Sequence, residues 1–239
     1  MYKKIDMQNL PKHIGIIMDG NGRWAKRRLL PRLAGHKAGV DALKRVTQAA
    51  KDLGIKVMSY FAFSTENWKR SKEEVDGIFD LVLKHLKENY DDFVKGNTKI
   101  MTMGDISKLP KELYDLLLDV TEKTKNNTDF IVNIGLNYGS RSELARAFTN
   151  LAQKGKVEIT EEDIRSELYT NELPDPDLII RTSGEMRLSN FMLFQNAYAE
   201  LYFPKIHWPD FDERHLKKAI IEYQRRDRRF GNVKQEKNQ

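Results

Sequence analysis

The 239-residue chain contains no cysteine. That excludes disulfides and thiolate metal sites, and it fits a cytoplasmic protein. No stretch approaches the roughly 20 consecutive apolar residues that a membrane-spanning helix needs. The N-terminus, Met1-Tyr2-Lys3-Lys4-Ile5-Asp6, turns polar at once, so no secretory signal is expected. Internal repeats, low-complexity tracts and Gly/Ser-rich linkers are also missing. What is present is a chain with 40% hydrophobic and 32% charged residues and a net charge of +6. The length suits one large α/β domain, and the charge favours anionic partners: nucleic acid, an anionic membrane or phosphorylated small molecules.

One stretch organises the rest: His13-Ile14-Gly15-Ile16-Ile17-Met18-Asp19-Gly20-Asn21-Gly22-Arg23-Trp24. A short isoleucine-rich run stopped by turn residues reads as a buried strand. A helix can start after it, with Asn21 as N-cap. Free N–H groups at a helix start attract anions, and glycines let phosphate oxygens approach. Arg23 adds a forked, permanently charged donor. Asp19 would stand at the strand's C-terminal end, where open α/β sheets place ligands. A carboxylate beside a phosphate cradle repels the ligand unless a cation lies between them, and Mg²⁺ is the usual one. Glycine spacing alone would equally make this an ordinary strand–turn–helix corner.

Further along, residues 29–36 read as a Pro- and Gly-punctuated loop and 37–53 as an amphipathic helix. Strands are expected at 55–63, 98–104, 130–136, 178–180 and 201–203. Helices are expected at 72–89, 111–125, 142–154, from Thr160 onward, and at 211–229. The alternation implies an α/β single domain with a central, mostly parallel six-stranded sheet flanked by helices. Residues 1–12 and 232–239 are expected to be loose tails of that one domain (1–239).

Three strands end in polar clusters, beginning at Asp19, Ser64 and Arg181. In a parallel sheet those ends share one edge, so the clusters can converge. Singly, each residue has a plainer reading. Trp68 could be a core aromatic, Asn67 a turn former, His36 a helix cap, and Arg181, Arg187 and Ser189 surface groups. Glu200, set among Tyr198, Leu201 and Tyr202, reads equally as a structural salt bridge or a metal ligand. The apolar face of 72–89 is core, or one wall of a hydrocarbon tunnel.

The motifs match a known pattern. Met18-Asp19-Gly20-Asn21-Gly22-Arg23-Trp24-Ala25, Gly35-His36, Phe63-Ser64-Thr65-Glu66-Asn67-Trp68, Ile180-Arg181-Thr182-Ser183-Gly184-Glu185, Arg187-Leu188-Ser189-Asn190-Phe191 and Ala199-Glu200-Leu201 occur in that order. They resemble the cis-prenyltransferases, and within them the bacterial undecaprenyl diphosphate synthases, over nearly the whole chain. The resemblance implies a homodimer that adds isopentenyl diphosphate repeatedly to farnesyl diphosphate, with Mg²⁺ as cofactor. It implies an apolar tunnel between sheet and helices, here expected to be lined by Val75, Ile78, Phe79, Val82, Leu86 and the strand at 130–136.

By position, the resemblance makes Asp19 the catalytic metal ligand. Gly20, Asn21, Gly22, Arg23, Arg32 and His36 would hold the allylic diphosphate, beside Trp24. Ser64, Thr65, Glu66, Trp68 and Arg70 would belong to a loop over the site, and Asn67 matches the assigned proton acceptor. Arg181, Arg187, Leu188 and Ser189 would form the isopentenyl diphosphate pocket. Glu200 matches a metal-associated acid that reaches across the dimer interface. Small departures are Ser183 and Ser140 where glycine is common, Ser71 where proline is frequent, and Asn232 where a second glycine is usual.

A short-chain synthase and a non-catalytic subunit of the same fold are the nearer rivals. A nucleic-acid-binding reading rests only on Arg225-Arg226-Asp227-Arg228-Arg229 and the high pI, with no recognised module, so no nucleic-acid partner is expected. Peripheral contact with a membrane during product release is.

Overall fold

The computed structural model describes residues 4–226. The isoleucine-rich run forms β1 (His13–Ile17), and every residue of it is buried. A strand covered on both faces belongs at the centre of a parallel sheet. β2 (Val57–Ser64), β3 (Thr98–Met103), β4 (Phe130–Tyr138), β5 (Leu178–Arg181) and β6 (Glu200–Tyr202) complete the sheet. The order is β3-β4-β2-β1-β5-β6. All five pairings are parallel, with Ile14 opposite both Met58 and Leu178. The expected six strands are therefore present, and the sheet is wholly parallel.

Helices cover both faces: α1 (Asn21–Lys26), α2 (Arg32–Asp52), α3 (Lys72–Glu88), α4 (Tyr90–Lys95), α5 (Lys111–Thr124), α6 (Ser140–Gln153), α7 (Glu161–Ser166) and α8 (Glu213–Gln224). On one face Ile14, Ile16, Met58 and Tyr60 pack with Val46 and Ala50 of α2 and Ile220 of α8. Each isoleucine, valine or methionine among them contributes roughly 1.5–3 kcal/mol through burial. A second core joins Phe63 and Leu136 to Val75 and Phe79 of α3 and Leu113 and Leu117 of α5.

Several boundaries differ from the sequence expectation, for physical reasons. α2 starts at Arg32, after Pro31, rather than at residue 37. Gly35 is not loop punctuation but a close-packing position inside α2. A Cβ there would lie 2.1 Å from the carbonyl oxygen of Asn21, so glycine lets α2 press on α1. The cap of α1 is Gly20 at φ 104, not Asn21. Asn21 instead turns its amide back, and Nδ2 donates to the Met18 carbonyl at 3.4 Å. The unexpected α4 begins where Asn89 leaves the helical region at φ −113, ψ 12.

The last helix is shorter than expected. Asp212 accepts from the His215 N–H at 3.2 Å and starts α8 at Glu213; residues 227–229 of the expected helix lie outside the described residues, as does the expected tail 232–239. Residues 4–12 are not loose. Ile5 and Leu10 pack on the core, Lys12 N–H donates to Asp177 at 2.7 Å, and Gln224 Nε2 donates to the carbonyls of Asp6 and Asn9.

Candidate active site

Asp19 leaves the end of β1 and meets Arg181, the last residue of β5, because those strands pair in register, Ile17 opposite Arg181. Arg181 Nη2 donates to Asp19 Oδ2 at 2.9 Å, and Arg23 Nη2 donates to Oδ1 at 3.0 Å. Burial opposes ionisation of Asp19, but these two arginines outweigh it and hold the carboxyl below the ordinary carboxylate range. Its backbone carbonyl is fixed as firmly, accepting from Thr182 Oγ1 at 2.6 Å and the Trp208 N–H at 3.0 Å.

Arg181 also organises the next loop. Its Nη1 donates to the Arg187 carbonyl at 2.6 Å and to Ser189 Oγ at 2.7 Å. Glu185 bridges the cationic side chains, accepting from Arg23 at 2.6 Å and Arg187 at 2.5 Å. Arg187 and Arg23 together pull the Glu185 carboxyl below its usual range. Leu188 packs against the buried Phe191 cluster. Ser183, Ser189, Asn190 and Met192 all have positive φ, between 48° and 75°. Such backbone strain in non-glycine residues clusters at functional loops. Ser183, standing where glycine is common, carries φ 75 and uses its hydroxyl on the Asp19 carbonyl at 3.1 Å and His207 Nδ1 at 2.7 Å.

A second cationic group forms where α2 faces α3. Oε1 of Glu74, in the first turn of α3, receives Arg32 Nε at 3.0 Å, Arg70 Nη1 at 2.8 Å and His36 Nε2 at 3.2 Å. Burial lowers the His36 pKa in spite of Glu74. Arg32 also lies against Gly22, where a Cβ would stand 3.2 Å from its Nε. The glycine loop, Arg32 and His36 are thereby one neighbourhood. Sequence reasoning missed Glu74, because a glutamate in a first helical turn already has an ordinary role there, complementing the helix dipole. The spacing Arg70-x-x-x-Glu74 was the available signal.

The Ser64 cluster forms a 3-10 turn, Thr65–Lys69, after β2. Asn67 Oδ1 accepts from the Ser64 N–H at 3.1 Å, so its carboxamide orientation is set. A Cβ on Gly139 would lie 2.7 Å from Thr65 Oγ1. Glu66 accepts from Asn190 Nδ2 at 3.0 Å, tying this turn to the Arg181 loop. Trp68 is not a core aromatic: it is 41% exposed, donates to Asn137 Oδ1 at 2.7 Å and packs edge-on to Phe63. Trp24 donates to Asp210 at 2.7 Å and carries the Arg28 guanidinium 4.1 Å above its ring.

Glu200 is the residue that one chain does not bring to the cluster. It opens β6 in register with Leu178 at the start of β5, the opposite end of the strands from Asp19, and accepts from Arg226 at 2.6 Å. Among the described residues no three His, Asp or Glu side chains converge as a metal site. Asp19 is thus an ionised carboxylate at the glycine loop, with Glu185 sharing its Arg23. That donor set suits Mg²⁺, which takes one or two carboxylates and completes its shell with phosphate oxygens and water.

Between α2, α3 and the sheet opens a cavity of about 1000 Å³ that reaches Asn21 and His36. Ile78, Val82 and Leu86 line it, as expected, with Val132 and Ile134 of β4. Val75 and Phe79 do not. They turn into the second core against Phe63 and Leu117, since a helix presents its i, i+3 and i+4 positions over an arc wider than one cavity wall.

A cationic rim opening onto a mainly apolar cavity, on a wholly parallel sheet, suits a ligand with an anionic head and an apolar tail. Residues 17–231 match the model of the undecaprenyl diphosphate synthase family, Prenyltransf, and the chain belongs to that family of cis-prenyltransferases. It is 52% identical to an isoprenyl transferase of Streptococcus pneumoniae, covering 94% of this chain and 93% of that one. It is 48% identical to an isoprenyl transferase of Clostridium tetani, covering 96% and 92%. The fold matches lavandulyl diphosphate synthase from Lavandula x intermedia in complex with dimethylallyl diphosphate, at TM-score 0.89 and 34% identity over 93% of this chain and 99% of that one. It also matches a probable undecaprenyl diphosphate synthase from Campylobacter jejuni, at TM-score 0.79 and 36% identity over 94% and 100%.

Proposed function

We propose that the protein condenses isopentenyl diphosphate repeatedly onto farnesyl diphosphate to make undecaprenyl diphosphate, the precursor of the lipid carrier for cell-wall polysaccharide. The observation that carries this reading is the cavity. At about 1000 Å³ it stands at the upper end of the ~300–1,000 Å³ typical of small-molecule pockets, more room than a short prenyl tail needs.

In this reading the allylic diphosphate lies over the loop Gly20, Asn21, Gly22 and Arg23 and against Arg32 and His36. As its carbon–oxygen bond breaks, negative charge develops on the leaving diphosphate, and these donors would stabilise it. Asp19 would hold Mg²⁺ against the phosphate oxygens, and the ion would supply charge neutralisation there. Arg181, Arg187 and Ser189 hold the second diphosphate, so its alkene sits against the allylic carbon and the reaction becomes one of proximity. A proton must then leave the isopentenyl unit. An amide is a poor base, so Asn67 orients a diphosphate oxygen or water that takes it. The growing tail moves along Ile78, Val82 and Val132, each buried CH₂ gaining about 0.8 kcal/mol.

Exposed Met186, Leu193 and Tyr198, in the β5–β6 connection, support a homodimer in which the adjacent Glu200 serves the metal of the other subunit. A short-product synthase is the second reading, favoured by the fold match to lavandulyl diphosphate synthase. Incubation with farnesyl diphosphate, labelled isopentenyl diphosphate and Mg²⁺, with and without EDTA, decides between them. A long lipid made only without EDTA is expected; products that stop after one or two additions would establish the second reading, and no incorporation would sink both.

A further inference from the structure

We propose that the corner joining α1 to α2, residues 26–33, is a docking surface for an anionic lipid bilayer, placed beside the mouth of the prenyl cavity. The link to product release rests on the prenyl-lipid reading above; the surface itself is argued from its own residues. Lys26, Arg27, Arg28, Leu29, Leu30, Pro31, Arg32 and Leu33 are exposed in unbroken succession. Four are cations, three are leucines, and none is acidic. An apolar tip flanked by cations combines the two signals that stable interfacial binding needs, insertion and attraction to anionic headgroups.

Leu29 is the telling residue. It is 95% exposed and sits at φ 57, the left-handed region that a leucine enters only with strain. Leu30 N–H donates to the Ala25 carbonyl at 3.0 Å, closing a helix end of the kind that usually carries glycine. The fold gains nothing from this side chain: it buries no area and strains the backbone. Leu30 and Leu33 beside it are 44% and 45% exposed. Val157, by contrast, is exposed alone between Lys156 and Glu158, which is ordinary for a protein surface.

Position supports the assignment. Leu33 rests on α3, where a Cβ on Gly77 would lie 2.7 Å from Leu33 Cδ1. The corner therefore touches both helices that wall the cavity, next to the Arg32–Glu74 pair. A bilayer seated there would meet the product where its head is held. Arg28 is stacked on Trp24 and paired with Asp210, so Lys26 and Arg27 are the cations best placed to meet headgroups.

The test is sedimentation of the full chain with vesicles of phosphatidylcholine alone or mixed with phosphatidylglycerol. Binding should require phosphatidylglycerol and weaken with salt. Leu29→Ser with Leu30→Ser should lower the vesicle-bound partition about tenfold or more. Leu29→Gly should weaken it while leaving the melting temperature unchanged or higher, which separates docking from folding. Absence of sedimentation with either vesicle, or sedimentation that ignores the leucines and follows charge alone, would overturn the proposal. So would a change of oligomeric state in the leucine variants by gel filtration, which would make the corner a contact between copies. Isoprenyl incorporation assayed in detergent keeps the two readings apart: incorporation without vesicle binding sinks only the surface, and vesicle binding without incorporation sinks only the proposed reaction.

Discussion

Asp19 is held by two arginines that also serve different loops, so its carboxylate is both ionised and aimed. Replacing it with alanine would leave Arg181, with a side chain only 5% exposed, without its counter-charge, and would mix a folding effect into the kinetics. Asp19→Asn keeps the shape and removes the charge. Turnover should fall by roughly 10²–10³-fold or more, the range for losing one preorganised electrostatic group, with an unchanged circular dichroism spectrum. Near-normal turnover in that variant would end the metal assignment. Glu74 makes a different prediction. It gathers Arg32, Arg70 and His36 on one carboxylate oxygen, two cations and an imidazole that would otherwise spread apart. Glu74→Gln should raise KM for the allylic diphosphate about tenfold, a cost of ~1.4 kcal/mol, and leave KM for isopentenyl diphosphate unchanged. Equal rises in both would mean a general disturbance rather than a loss of placement.

α3 divides its apolar residues between two tasks, and that division can be read out by mutation. Ile78 and Val82 line the cavity while also packing with the second core, whereas Val75 lies in that core with Phe63 and Leu117 and does not line the cavity. Ile78→Trp or Val82→Trp should block the bore and shorten the lipid product, measured by chromatography of the labelled chains. Val75→Ala should leave product length alone and cost about 1–3 kcal/mol of stability by urea titration, as a cavity left in packed core. The sequence showed that α3 was amphipathic but not where its arc was split, because a tunnel wall and a core wall use the same side chains. Strands were legible for the opposite reason: β1 and β5 are buried on both faces and read as unbroken apolar runs. The rim at Asp19, Ser64 and Arg181 followed from parallel strands ending together. Gly35 misled, since a glycine used for close helix packing looks in sequence like a helix stop. Glu74 was half hidden: Arg70 stands at a local spacing, but Arg32 and His36 reach it only through the packing of α2 on α3, which no local pattern encodes. Ser71 compensates for its departure from proline, accepting from the Glu74 N–H at 3.3 Å as cap of α3.

The sheet that aligns the rim is itself pinned by a buried polar layer at its other end. His13 opens β1, the strand that delivers Asp19, and is fully buried. Its Nδ1 lies 2.6 Å from the Pro174 carbonyl, so it carries the proton, and Nε2 accepts from Ser59 Oγ at 2.7 Å. Asn133 Nδ2 donates to the same hydroxyl at 3.0 Å, so one chain of hydrogen bonds crosses β1, β2 and β4. This arrangement suits only a neutral imidazole, and burial pushes the His13 pKa down from 6.5 to about 4. His85, beside the cavity, is lowered to about 4 as well, by burial and then by Lys44. The unfolded chain takes up these protons near pH 6.5 and the native state does not, so the stability they contribute is complete above pH 6.5 and is lost as the pH falls toward about 4. For His13 alone the full loss is roughly 3 kcal/mol. Urea unfolding across that window should show stability falling with acidification before most carboxylates titrate, and the fall should be shallower in His13→Gln. A flat profile from pH 6.5 to about 4 in the unmodified chain would mean that His13 is already charged in the native sheet, and the polar layer would have to be redrawn.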